Sequence, residues 1–125
     1  MRHLLSVLLM AGVLVALTAC KSAVQLYATR SADMHEPAPP RLQAFAAGEQ
    51  PAIVVDLPKH SKWGQKAGTL WIDEALTGKT IWNQSKFMRE GSTNYFLPEG
   101  LEAGTYIATL RSGGEPVATI NFDVK

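Results

Sequence analysis

Residues 104–125 read "GTYIATLRSGGEPVATINFDVK", and the alternation inside this stretch decides the fold class. Ile120, Phe122 and Val124 interleave with Thr119, Asn121 and Asp123, so an extended backbone turns one apolar face and one wet face. Thr105 to Arg111 precedes this run, and Ser112-Gly113-Gly114-Glu115 lies between the two. The paired glycines tolerate the positive φ of a tight turn, which predicts a β-hairpin. Pro116 stands at the start of the second strand, where its missing N–H does least harm.

The same grammar continues upstream to Pro51. Ile53-Val54-Val55 is β-branched and bounded by Pro51 and Pro58, which suits a short strand. Thr69 to Glu74 and Thr80 to Gln84 flank Leu76-Thr77-Gly78-Lys79 as a second hairpin, and Asn94 to Leu97 adds a strand closed by Pro98-Glu99-Gly100. "NQSKFMREGS" (83–92) has room for one helical turn at most, and no run sustains the 3.6-residue period of a longer helix. Turn signals spaced about 8 to 12 residues apart predict an all-β domain over 51–125, a small antiparallel β-sandwich or barrel.

Leu101-Glu102-Ala103-Gly104-Thr105-Tyr106 resembles the Leu-x-x-Gly-x-Tyr entry into a late strand of immunoglobulin-like domains. The resemblance implies a Tyr106 hydroxyl reaching back to the preceding turn. Over a longer span, "GTLWIDEALTGKTIW" (68–82) and "LPEGLEAGTYIATLRSGGEPVATINFDVK" (97–125) resemble the Ig-like C-terminal sorting domains of type IX secretion cargo. They are less similar to carboxypeptidase-regulatory and flagellar-cap Ig-like modules. The resemblance implies an Ig-like β-sandwich. It carries no sorting role, because Asn121 stands where a lysine is common in that tail and no large passenger precedes the domain.

The opening "MRHLLSVLLMAGVLVALTAC" has a basic head at Arg2, an apolar run from Leu4 to Ala19 broken by Ser6, Gly12 and Thr18, and then small residues. This is the layout of a secretory signal, shorter than the roughly 20 apolar residues of a spanning helix. Leu17-Thr18-Ala19-Cys20 resembles the lipobox of bacterial lipoproteins. That resemblance implies a signal peptide over 1–19, cleavage after Ala19, and a diacylglycerol thioether on Cys20 with an acylated amino terminus, palmitate being the usual chain type. A thiolate is nucleophilic enough to take the lipid near neutral pH. Two or three acyl chains then hold the protein on the bilayer without a spanning segment. Lys21, where Asp commonly retains a lipoprotein in the inner membrane, implies the outer membrane facing the periplasm in a Gram-negative host.

Between the anchor and Pro51, residues 20–50 read as a lipidated cysteine followed by a linker. Pro37, Pro39, Pro40 and Pro51 punctuate small and charged residues, a composition poor for helices and central strands. A flexible segment of that length holds the domain on the order of 30 Å from its lipid. Val24, Leu26 and Tyr27 offer the alternative of a short strand added to the domain, which leaves residues 23–29 open.

Charge excludes one class of partner. With Arg2 set aside, eleven Lys and Arg face eleven Asp and Glu with no basic stripe, which argues against nucleic acid. The single cysteine rules out an internal disulfide, so packing alone must hold the core.

The search for chemistry predicts no enzyme, no cofactor and no metal site. Asp73 and Glu74 point to opposite faces of a strand, His35 and His60 lack a ligand partner at metal spacing, and no nucleophile elbow or phosphate loop is present. Two features suggest binding. "KHSKWGQK" (59–66) brings Lys59, His60, Lys62, Trp63 and Lys66 into one loop, and Trp71 and Trp82 lie on neighbouring strands. If Leu70 and Ile72 face the core, Trp71 faces outward, free to stack on a sugar or pack on a protein unless an edge loop covers it. Trp63, Trp71, Trp82, Lys59 and Lys62 are therefore the candidate contacts. The first reading is a non-catalytic accessory or scaffold lipoprotein that binds another envelope protein. Peptidoglycan or other glycan binding is the alternative, and inhibition of a periplasmic hydrolase the third.

Overall fold

The computed structural model describes residues 23–125; the signal segment, the lipobox and Cys20 lie outside the described residues. Eight strands follow in chain order: β1 (Gln25–Arg30), β2 (Ala44–Phe45), β3 (Pro51–Asp56), β4 (Gln65–Glu74), β5 (Thr80–Arg89), β6 (Thr93–Phe96), β7 (Gly104–Ser112) and β8 (Glu115–Val124). They form a three-stranded sheet, β1-β3-β6, and a five-stranded sheet, β2-β8-β7-β4-β5. Every pairing is antiparallel except the two-residue match of β2 to β8. Two sheets packed through their apolar faces make the chain an all-β, Ig-like β-sandwich.

Alternation dictates the core. Leu70 and Ile72 on β4, Tyr106, Ala108 and Leu110 on β7, and Phe122 and Val124 on β8 meet Leu26 and Ala28 on β1, Ile53 and Val55 on β3, and Phe96 on β6. Phe122 stacks on Tyr106 at 5.6 Å and meets Phe45 edge to face at 5.9 Å. Tyr106 Oη donates to Glu102 O at 2.5 Å, the back-reach implied by the Leu-x-x-Gly-x-Tyr resemblance. The β7–β8 hairpin turns at Gly113 and Gly114, both with positive φ.

Two expectations need correction. Residues 83–89 hold no helical turn: β5 runs unbroken from Thr80 to Arg89, because its ladder to β4 continues from Trp82 opposite Ile72 to Arg89 opposite Gln65. A linker reaching to residue 50 is also not what the chain forms beyond Val24. Gln25–Arg30 is a full strand against β3, the alternative that Val24, Leu26 and Tyr27 offered.

The rest of the proline-rich segment folds as a strap. Leu42 N–H donates to Ala28 O at 2.8 Å, Asp123 N–H donates to Gln43 O at 2.8 Å, and Ala44 and Phe45 then pair with β8. The chain thus passes from the edge of one sheet to the edge of the other and closes the seam between them. Ser31 N–H to Gln50 O at 2.8 Å and Arg30 bonded to Asp33 at 2.9 Å and to Glu49 at 3.4 Å draw the ends of the strap together.

The strap also explains why β3 is buried on both faces. Tyr27, Val54 and Tyr95 stand side by side in one row on the outward face of the three-stranded sheet. The Arg41 guanidinium sits 4.4 Å from the Tyr27 ring centre, and the His35 ring meets Tyr95 at 4.8 Å. Val54 beneath them is fully buried. His35 therefore has a packing role.

Candidate binding surface

The loop 59–66 holds a structural tryptophan. Trp63 is 4% exposed and joins the core, and its indole N–H donates to Met88 O at 3.1 Å. Its ring occupies the space a side chain at Gly68 would need: a Cβ there would lie 2.6 Å from Met88 Cε and 2.9 Å from Trp63 Cη2. Lys66 Nζ lies 4.7 Å from the ring centre of Trp63, a cation–π contact. Lys62 adopts a left-handed backbone with φ 64°, the kink immediately before Trp63. Lys59 and Lys62 carry exposed side chains but flank no open aromatic face at Trp63. As a ligand platform, Trp63 is thus excluded by its own burial.

Trp82 also points inward. It lies opposite Ile72 and packs, partly buried, against the core. Of the three tryptophans, Trp71 alone faces outward, as the flanking Leu70 and Ile72 require; both are fully buried. Trp71 is half-buried, with Asn83 of β5 directly opposite on one side and Thr109 of β7 on the other. Ile107 shares this outward face, as do Ile81 at 37% and Phe87 at 69% exposure on β5. The five-stranded sheet therefore shows solvent an apolar and aromatic patch set among Asn83, Ser85, Thr69 and Thr109. Such a patch can pack on an apolar partner or stack on a sugar ring, with hydroxyl and amide groups beside it for orientation.

Sequence reasoning missed Phe87 and Ile81, because it ended β5 at Gln84 and gave residues 85–89 no sheet face. Period-2 spacing of Ile81, Asn83, Ser85 and Phe87 was the available signal. Asp73 and Glu74 are occupied locally, Asp73 accepting from the Thr80 hydroxyl at 2.6 Å and Glu74 from Thr77 at 3.4 Å.

A second concavity, of about 490 Å³, lies at the seam between β1 and β8 and is lined by Leu26, Ala28, Leu42, Ile120 and Phe122, with Arg41 and Asp123 at its rim. It is the open part of the join that the strap closes. Burial pushes the hydroxyl pKa of Tyr27 up there, against the opposing pull of Arg41. Burial likewise raises that of Tyr106, helped by the charges of Glu74 and Glu102.

Among solved structures, the chain is similar to an immunoglobulin-like protein of Pseudomonas aeruginosa, with 14% sequence identity, 82% of this chain and 91% of that chain covered, and a TM-score of 0.46. No protein-family model and no curated protein sequence matches the chain.

Proposed function

We propose that this protein is a non-catalytic binding module of the bacterial envelope, held by acyl chains on Cys20 and docking another envelope protein. The observation that carries the binding half is the outward face of the five-stranded sheet, where Trp71, Ile107, Ile81 and Phe87 meet solvent on a domain whose other sheet is covered. The anchoring half rests on the lipobox resemblance of Leu17-Thr18-Ala19-Cys20, and Lys21 favours the outer membrane facing the periplasm in a Gram-negative host. The likeness to sorting domains contributes the fold only.

A photo-cross-linking residue at Asn83 in the full chain should capture one envelope protein, and Trp71→Ala should abolish that product. Equal capture from a control position at Leu76, in the β4–β5 turn, would defeat the reading. Cys20→Ser should abolish incorporation of labelled fatty acid; unchanged labelling would remove the anchor.

A second reading is favoured by one observation, the half-exposed Trp71 ring set between hydrogen-bonding Asn83 and Thr109, which suits a glycan strand. Retention of the full chain on purified peptidoglycan, lost in Trp71→Ala, would move the assignment to glycan binding. Inhibition of a periplasmic hydrolase has no such observation behind it.

A further inference from the structure

We infer that the chain pairs with a second copy of itself through the free edge of β5, in an antiparallel two-fold register centred on Gln84. The other sheet edges are guarded. The strap bonds to β1 at Ala28 and to β8 at Asp123, and β6 is only four residues long. By contrast β5 is ten residues long and, among the described residues, pairs on one side only, with β4. A long edge with unused backbone groups is a template for another strand.

The ladder phase says which groups are free. Glu90 N–H donates to Gly64 O at 2.8 Å, one step beyond the Arg89–Gln65 pair, so even-numbered residues of β5 exchange bonds with β4. Asn83, Ser85 and Phe87 therefore turn their N–H and C=O groups toward the open edge. A two-fold axis at Gln84 matches these donors and acceptors: Asn83 meets Ser85 of the second copy, and Ile81 meets its Phe87. Both pairs lie on the outward face, so the pleat continues across the join.

The occupant follows from self-complementarity. Centring on Gln84 places the two exposed apolar residues of β5 on one another, twice by symmetry. Centring on Asn83 sets Phe87 against Lys79, and centring on Ser85 sets Ile81 against Arg89. Between Thr80 and Met88 the one charge is Lys86, and an inward lysine often guards an edge. Here its ammonium is engaged by the Tyr95 carbonyl and lies 4.9 Å from the Phe96 ring centre, which leaves the edge backbone open. The like-charged Lys79 and Arg89 fall opposite one another only at the ends of the register, where both side chains reach water.

The inference stands on the strand edge and goes beyond docking at the sheet face. In membranes holding the full chain, mild oxidation of Gln84→Cys should give a disulfide-linked dimer, because the two-fold places the two thiols opposite each other. Adding Ser85→Pro, which removes an edge N–H, should eliminate that dimer. The wild-type chain, carrying Cys20 alone, and Leu76→Cys in the exposed turn should stay monomeric on the same gel. Light scattering of the detergent-solubilised wild-type chain should give the mass of two chains, a readout that needs no variant to fold. A maleimide-reactive Gln84→Cys that does not cross-link, a dimer equally strong in Leu76→Cys, or a wild-type mass of one chain would overturn the inference. Each of these results is independent of whether Asn83 captures an envelope protein.

Discussion

The outward face of the three-stranded sheet carries Tyr27, Val54 and Tyr95 in one row beneath Arg41 and His35, whereas that of the five-stranded sheet carries Trp71, Ile107, Ile81 and Phe87 partly or largely exposed. Both faces present aromatic rings on a pleated surface, and they differ in what covers them. On the first, the proline-rich strap turns a sheet face into interior. On the second, the same kind of residue is left to meet a partner. An aromatic residue on a strand thus becomes core or contact surface according to whether the chain returns over it.

A charge on each face tests this contrast most severely. Val54→Asp buries an unpaired carboxylate under the strap and should cost about 3 to 5 kcal/mol, enough to unfold much of a small domain. Phe87→Asp should shift stability by no more than about 0.5 kcal/mol, as surface substitutions usually do. Comparable denaturant midpoints for the two variants would dissolve the distinction.

Gly68→Ala comes next in size. Its methyl group would lie 2.6 Å from Met88 Cε and 2.9 Å from the Trp63 ring, so the buried end of β4 should lose about 1 to 3 kcal/mol by overpacking. Thermal unfolding would decide it, and an unchanged midpoint would mean that Trp63 yields easily and is less firmly core than its burial implies.

The smallest effects concern the two buried tyrosines. Tyr106→Phe removes the bond to Glu102 O and should cost about 1 kcal/mol. Alkaline titration adds a signed test for both residues. Folding raises the pKa of Tyr27 and of Tyr106, mainly by burial, so the unfolded chain releases these protons first, near pH 10. Their contribution is intact below about pH 10 and is lost as pH rises toward the folded values. Tyr27→Phe should flatten the alkaline loss of stability by the share belonging to the strap-covered face. A steeper loss in that variant would contradict burial as the dominant cause.

Much of the sandwich is legible locally. The period-2 run Ile120-Phe122-Val124, the glycine turn before it and the Leu70-Trp71-Ile72 triplet each report which way side chains point, because a pleated strand sets that direction residue by residue. The outward placement of Trp71 follows from that rule alone. Trp63 was not legible in this way. A tryptophan in a lysine-rich loop looks exposed, and its burial depends on a hollow made by Gly68 and Met88, residues of two strands it meets only after folding.

By itself, then, the sequence determined an all-β chain with the β7–β8 hairpin, a tyrosine placed to reach the preceding turn, and a tryptophan turned away from the core. Each of these depends on neighbours within a few residues. Only the tertiary structure decided that residues 25–50 belong to the domain, that Trp63 is core, and that β5 runs ten residues with a free edge. The physical reason is that a proline-rich, polar segment has no strong preference of its own. It becomes ordered when distant strands supply Tyr27, Val54 and Tyr95 as a surface to cover and the backbone of β1 and β8 as partners for its hydrogen bonds.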